Sequence, residues 1–169
     1  MSTVSKTVRN WASAALVLML MLFAFAMYTA INKAIAGERH HLCVRKMMKV
    51  SHAAWQYSRE HTNQLPHAAT WCDDIKPWAH EEKFYLCPSG KREFQCHYAF
   101  NAKLSGLNPT NVHPETVMFF ETTGGWNLSG GPELAVSPRH RYGNCVVSFA
   151  DGSVLTMNEA RFKTLRWDP

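Results

Sequence analysis

Residues Trp11–Ile31 read WASAALVLMLMLFAFAMYTAI, 21 residues without a charge. At about 1.5 Å of rise per residue, such a helix spans roughly 30 Å of hydrocarbon. No proline occurs before Pro66 and Gly37 is the only glycine in between, so nothing forces the helix to end where the apolar run ends. Beyond Gly37 the composition changes while the helical period persists. Cys43, Met47, Val50, Ala54 and Tyr57 follow one another at spacings of four, three, four and three, forming one apolar stripe. Arg45, Lys46, Lys49, Gln56 and Arg59 take the opposite face. The pattern predicts one long helix, apolar all round in its first part and amphipathic in its second, ending near Thr62-Asn63 ahead of Pro66.

The remainder of the 169 residues is enough for one small domain. The boundaries read as a tail over 1–10, a transmembrane helix over 11–36, an amphipathic continuation over 37–63 and a globular head over 64–169. Net charge is +5, but Lys6, Arg9 and Lys33 supply +3 of it before Gly37. The rest is nearly balanced, so a basic face for nucleic acid is not expected, and juxtamembrane charge explains most of the excess. Ala34-Ile35-Ala36 offers a signal-type cleavage site. However, the apolar run is longer than the usual secretory h-region of about 7–15 residues, which favours a retained anchor that keeps Met1–Asn10. Lys33, Arg39, Arg45, Lys46 and Lys49 flank the far end of the run and argue for a cytoplasmic head. Five cysteines in so small a domain argue for an oxidising compartment instead. The balance is read as a single pass through the cytoplasmic (inner) membrane, with the N-terminus cytoplasmic and the head extracytoplasmic.

Within the head, 65–90 is irregular, with Trp71, Trp78, Phe84 and Tyr85 as anchors and a short helix over 70–79 capped by Thr70 or Asp73. Thr116–Glu121 is the best central strand. Asn144–Ala150 alternates, with Cys145, Val147 and Phe149 on one face and Val146 and Ser148 on the other. Asp151-Gly152 is a hairpin turn into a returning strand over 153–157, and Thr156 to Glu159 has the form of a capping box. The order predicts an α+β fold in which a small antiparallel sheet packs on the long helix.

Candidate chemistry is sparse. Cys87 and Cys96 flank the Ser89-Gly90 turn and could form a disulfide or remain two buried thiols, and Cys43 could pair with Cys72 or Cys145. His40-His41 with Cys43 lacks the paired short spacings of zinc sites. His140, Asp151 and Glu121 invite a metal or catalytic reading, but no nucleophile stands at a recognisable spacing. Asp151 is therefore read as a turn residue and His140 as bonded to a loop carbonyl. No catalytic residue, metal or cofactor is expected. The Gly124–Gly131 loop carries Trp126 as a candidate contact.

Taken in order, these features resemble the pilin-like proteins of planctomycete-type bacteria that carry the prepilin-associated H-x9-DG domain. Cys43 to Tyr57 resembles the family's helix after the membrane segment, and Leu65-Pro66, Trp71, Pro77-Trp78 and Phe84 to Pro88 its connecting region. Tyr98 to Asn101 and the strand ending at Glu121 resemble its middle. Arg139-His140 and Phe149 to Val154, with Asp151-Gly152, resemble the naming motif, and Phe162 to Trp167 the closing helix. Ten residues rather than nine separate His140 from Asp151. Val8-Arg9-Asn10-Trp11 stands where pilin precursors carry a Gly-Phe-Thr-Leu-type processing site, and no glutamate follows until Glu38. The resemblance implies a non-catalytic subunit of an envelope filament, secretion apparatus or membrane complex. Its partners would be membrane lipid and other subunits or copies of itself, met through the N-terminal helix. The alternative is an anchored extracytoplasmic binding module or accessory subunit of a membrane enzyme, with the Trp126 loop as its contact.

Overall fold

A computed structural model describes residues 3–91, 93–136, 140 and 144–169, with side chains from Trp11 onward. Arg139 and the start of the N-terminal tail, Met1-Ser2, lie outside the described residues. The chain divides into two compact units, 1–37 and 38–169. Helix α1 covers Thr3–Glu60, so it begins inside the stretch read as a tail. In the first unit every described side chain from Trp11 to Ile35 is exposed. The best 18-residue window there has a mean hydropathy of 2.3, and the helix is long and apolar enough to cross a membrane.

In the second unit, α1 buries Cys43, Met47, Val50, Ala53 and Ala54 completely, which is the predicted stripe with Ala53 added. Tyr57 is half-buried and stacks on His61. The helix stops at Glu60, and Thr62 and Asn63 then adopt left-handed φ values of 53° and 58°, which end it sharply. Helix α2 (Trp71–Ala79) follows, with Thr70 at its N-cap. The Thr70 side chain does not cap a backbone N–H; its hydroxyl donates to Asp74, which also accepts the His67 N–H.

The strands are β1 (Tyr98–Asn101), β2 (Val117–Glu121), β3 (Ser129–Gly130), β4 (Asn144–Phe149) and β5 (Val154–Asn158), in the spatial order β3-β1-β2-β4-β5. Three pairings are antiparallel, with Tyr98 opposite Glu121 and Cys145 opposite Met157 fixing the register. The fourth is parallel: β3 runs beside β1, so the sheet is mixed rather than wholly antiparallel. The reason is the path of the chain. Glu121 ends beside the start of β1, and the chain turns back through Gly124 and Gly125 to travel along β1 in the same direction. Gly124 has φ 139°, and a Cβ there would stand 2.5 Å from the Phe94 ring, so only glycine fits.

β1 and β2 are buried at every position, which breaks simple alternation because both sheet faces are covered. One face, with Tyr98, Phe100, Met118, Phe119 and Val146, packs on the α1 stripe, Trp71 and Tyr85. The other, with Ala99, Val117, Phe120, Cys145, Val147 and Phe149, packs under α3 (Glu159–Phe162) and Trp167. The expected capping box is displaced. β5 continues to Asn158, which pairs with Asn144, and the Asn158 side chain accepts the Arg161 N–H at 3.0 Å, so Asn158 rather than Thr156 caps α3.

Asp151 and Gly152 occupy the β4–β5 connection, where the Gly152 N–H donates to Phe149 O at 2.9 Å and Asp151 Oδ1 accepts the Ser153 N–H at 2.8 Å. Gly152 has φ 86°, and its ideal Cβ would sit 3.4 Å from Trp55 Nε1. Gly152→Ala is therefore expected to cost about 1–2 kcal/mol, with Gly152→Asn costing less, as read from urea unfolding midpoints in detergent. Equal midpoints for glycine and alanine would contradict this reading of the turn.

Candidate functional site

The long-range packing of α1 against the sheet gathers four chemistry-bearing groups into one buried point. α1 presents Cys43, the loop after the Glu82–Tyr85 turn presents Cys87, β2 ends on Glu121, and the bridge before β4 presents His140. Their ligand atoms all lie within 4.8 Å of one another. Cys43 Sγ donates to Glu121 Oε1 at 3.1 Å, His140 Nε2 lies 2.9 Å from the same oxygen, and Cys87 Sγ lies 3.7 Å from His140 Nε2. Exposure of the four runs only from 0% to 6%.

Each group is also held from outside. The Val146 N–H donates to Glu121 Oε2 at 2.9 Å, which fixes the carboxylate and leaves Oε1 turned to the cluster. Tyr98 Oη meets Cys43 Sγ at 3.4 Å. The Ser89 N–H supports Cys87, and Lys46 Nζ donates to the neighbouring Leu86 carbonyl at 2.7 Å. The His40 ring stands edge-on to His140 at 4.8 Å, and His40 Nε2 meets Thr156 Oγ1 at 3.0 Å.

The electrostatics divide the two thiols. Burial, reinforced by Cys87 and Glu121, pushes the Cys43 thiol well up. The hydrogen bond with Cys43, aided by His140, brings Cys87 down to about 6 against its burial. Burial pulls His140 down, but the hydrogen bonds to Cys87 and Glu121 outweigh it and leave the imidazole raised to about 9. Burial likewise works against the Glu121 carboxylate, and the bonds from His140 and Cys43 overcome it, so its pKa falls. Cys87 thus favours the thiolate and His140 the imidazolium.

The structure replaces two readings of these residues. His140 bonds a carboxylate and a thiol rather than a loop carbonyl, because it lies at the end of the central strand β2, where Glu121 is already pinned. Cys87 neighbours Cys43 rather than Cys96. The Cys96 thiol lies against Cys72, whose Sγ also accepts the Asn127 N–H at 3.3 Å. Cys145 lies in the core on the opposite sheet face and donates to Met157 O at 3.5 Å, away from Cys43. All five cysteines are buried thiols. Asp151 stays in its exposed turn, bordering a surface hollow with Met48, His52, Trp55 and Arg59. Trp126 is tied down: its Nε1 donates to Asp73 at 2.9 Å and its ring packs on Tyr85 at 5.1 Å.

No family model, curated protein or solved structure matches the chain. The cluster therefore has to be read from its own chemistry. Each of its members was legible singly, Cys43 and Cys87 as half-cystines and His140 with Glu121 in a metal or catalytic reading that also held Asp151. What the sequence did not show is that the two thiols join His140 and Glu121 while Asp151 stays apart. The contacts close over 78, 53 and 19 residues of sequence, so no short-spacing metal pattern announces them.

Proposed function

We propose that the chain is a non-catalytic, pilin-like, single-pass membrane protein. It would serve as a structural or assembly subunit of an envelope filament, a secretion apparatus or a larger membrane complex, with its head on the extracytoplasmic side. One observation carries the reading: α1 supplies both the exposed apolar run from Trp11 to Ile31 and the fully buried stripe from Cys43 to Ala54. Leu16, Leu18, Leu20, Leu22, Phe23 and Phe25 are all more than half exposed. Covering side chains of this kind is worth about 1.5–3 kcal/mol each, which favours lipid or neighbouring helices around the segment. The same helix then acts as the spine of an α+β head, the arrangement that the pilin resemblance implies.

A non-catalytic role is supported by how the buried cluster is wired. His140 meets both Cys87 and Glu121 through Nε2, whereas a nucleophile–base–acid relay engages the two ring nitrogens separately. The absence of a pilin-type processing site before Trp11 favours a subunit that stays in the membrane. Solubilised in mild detergent and measured by size exclusion with light scattering, the protein is expected to run at several times its 19.2 kDa together with other subunits. A discrete particle of one chain would oppose the subunit reading and favour the anchored module. Intact mass spectrometry is expected to show the N-terminal residues retained, and a chain beginning at Gly37 would remove the anchor altogether.

A further inference from the structure

We infer that Cys43 Sγ, Cys87 Sγ, Glu121 Oε1 and His140 Nε2 form a closed, four-coordinate site for a divalent metal ion of the zinc class, which ties the long helix to the sheet. The inference stands on the head alone and does not depend on the subunit reading. Its first support is convergence. With metal–ligand bonds of about 2.0–2.3 Å, a tetrahedral site has donor-to-donor edges of roughly 3.3–3.8 Å. Of the observed separations, 3.7 Å falls inside that range and 3.1 and 2.9 Å fall just short of it, and all four atoms lie within 4.8 Å of each other. Side-chain torsion changes that move these atoms by up to about an ångström would even the edges and open the centre.

The second support is the donor set. Two thiolates, an imidazole and a carboxylate make a borderline-soft environment that suits zinc, which has no geometric preference of its own. The hard cations calcium and magnesium require oxygen donors and do not match, and the carboxylate, a hard ligand, favours zinc over copper(I). Four protein donors with so little exposure leave no position open for a substrate or reactive water, which makes the role structural.

The third support is the surroundings. Metal-binding carboxylates and thiolates are oriented by outer partners, and here the Val146 N–H holds Glu121, Tyr98 holds Cys43 and the Ser89 N–H holds Cys87. Charge also balances. Two thiolates and one carboxylate give −3 and the ion brings this to −1. The Lys46 ammonium, anchored on Leu86 beside Cys87, offsets the remainder. On binding, each thiol or imidazole proton that blocks a ligand lone pair leaves to solvent as the ion enters, and no redox change occurs.

The competing fate of the same atoms is a Cys43–Cys87 disulfide, which would remove two of the four ligands. The test uses the full chain in mild detergent, purified without added chelator or oxidant, with zinc counted by elemental analysis and the thiols mapped by non-reducing digestion. One zinc per chain is expected, with Cys43 and Cys87 unlinked. His140→Ala is expected to lose the metal, and Cys72→Ser and Cys145→Ser, which alter buried thiols outside the cluster, to retain it. Metal loss from His140→Ala does not by itself separate a missing ligand from misfolding, so the unmodified protein is also loaded with cobalt(II), which should give thiolate-to-cobalt charge-transfer bands and the intense visible bands of a tetrahedral site. Metal-free protein that stays silent with cobalt, or a Cys43–Cys87 disulfide, would overturn the assignment.

Discussion

Trp71→Ala is expected to destabilise the head by about 3–5 kcal/mol, a large fraction of the net stability of a domain of this size. Trp71 is fully buried where α2 meets the sheet, with Phe119, Tyr85 and Phe100 rings at 5.0, 6.0 and 6.5 Å. Truncation removes the largest side chain of this core and leaves a cavity bounded by rigid rings, which collapse poorly into it. The indole also does polar work, since its Nε1 donates to Leu128 O at 2.9 Å. That carbonyl already accepts the Phe100 N–H at 3.0 Å, so losing the indole does not orphan it. Trp71→Phe should therefore cost only about 1–2 kcal/mol, separating packing from hydrogen bonding. Chemical unfolding of both variants in detergent checks this, and near-equal losses would mean that the hydrogen bond, rather than volume, dominates.

The parts of this fold legible in sequence are those set by local periodicity. The spacing of Cys43, Met47, Val50 and Ala54 places a stripe on one helical face whatever it packs against, and these residues are fully buried. Alternation from Cys145 to Phe149 followed by Asp151-Gly152 specifies a hairpin by itself, because side-chain direction in a strand has a period of two. What escaped is what depends on partners far along the chain. The parallel β3 exists because Glu121 happens to end beside Tyr98, and two residues at Ser129–Gly130 carry no strand signal. The helix cap moved from Thr156 to Asn158 because the ladder with β4 outlasts the local capping pattern. Cysteine neighbours are the extreme case. A turn between Cys87 and Cys96 suggests a pair, yet tertiary packing sends one thiol to Cys43 and the other to Cys72.

Glu121→Leu is the second large effect, expected at about 3–5 kcal/mol in chelator-treated protein. The carboxylate is 1% exposed and receives Cys43, His140 and the Val146 N–H. Leucine fills most of the volume but leaves the buried imidazole with only the Cys87 sulfur at 3.7 Å and takes the acceptor from a backbone donor, and their desolvation is the source of the cost rather than any lost packing. This cause is separable from a packing defect. Adding His140→Phe to Glu121→Leu removes the stranded ring as well, and the double variant is expected to be more stable than Glu121→Leu alone. Glu121→Gln should fall between wild type and Glu121→Leu, since its amide oxygen can still accept the Val146 N–H while the charge facing His140 is gone. Urea midpoints of the four proteins decide the matter. If the double variant is less stable than Glu121→Leu by the full cost of a second core substitution, then His140 contributes through packing, and the buried pair is not what holds Glu121 in place.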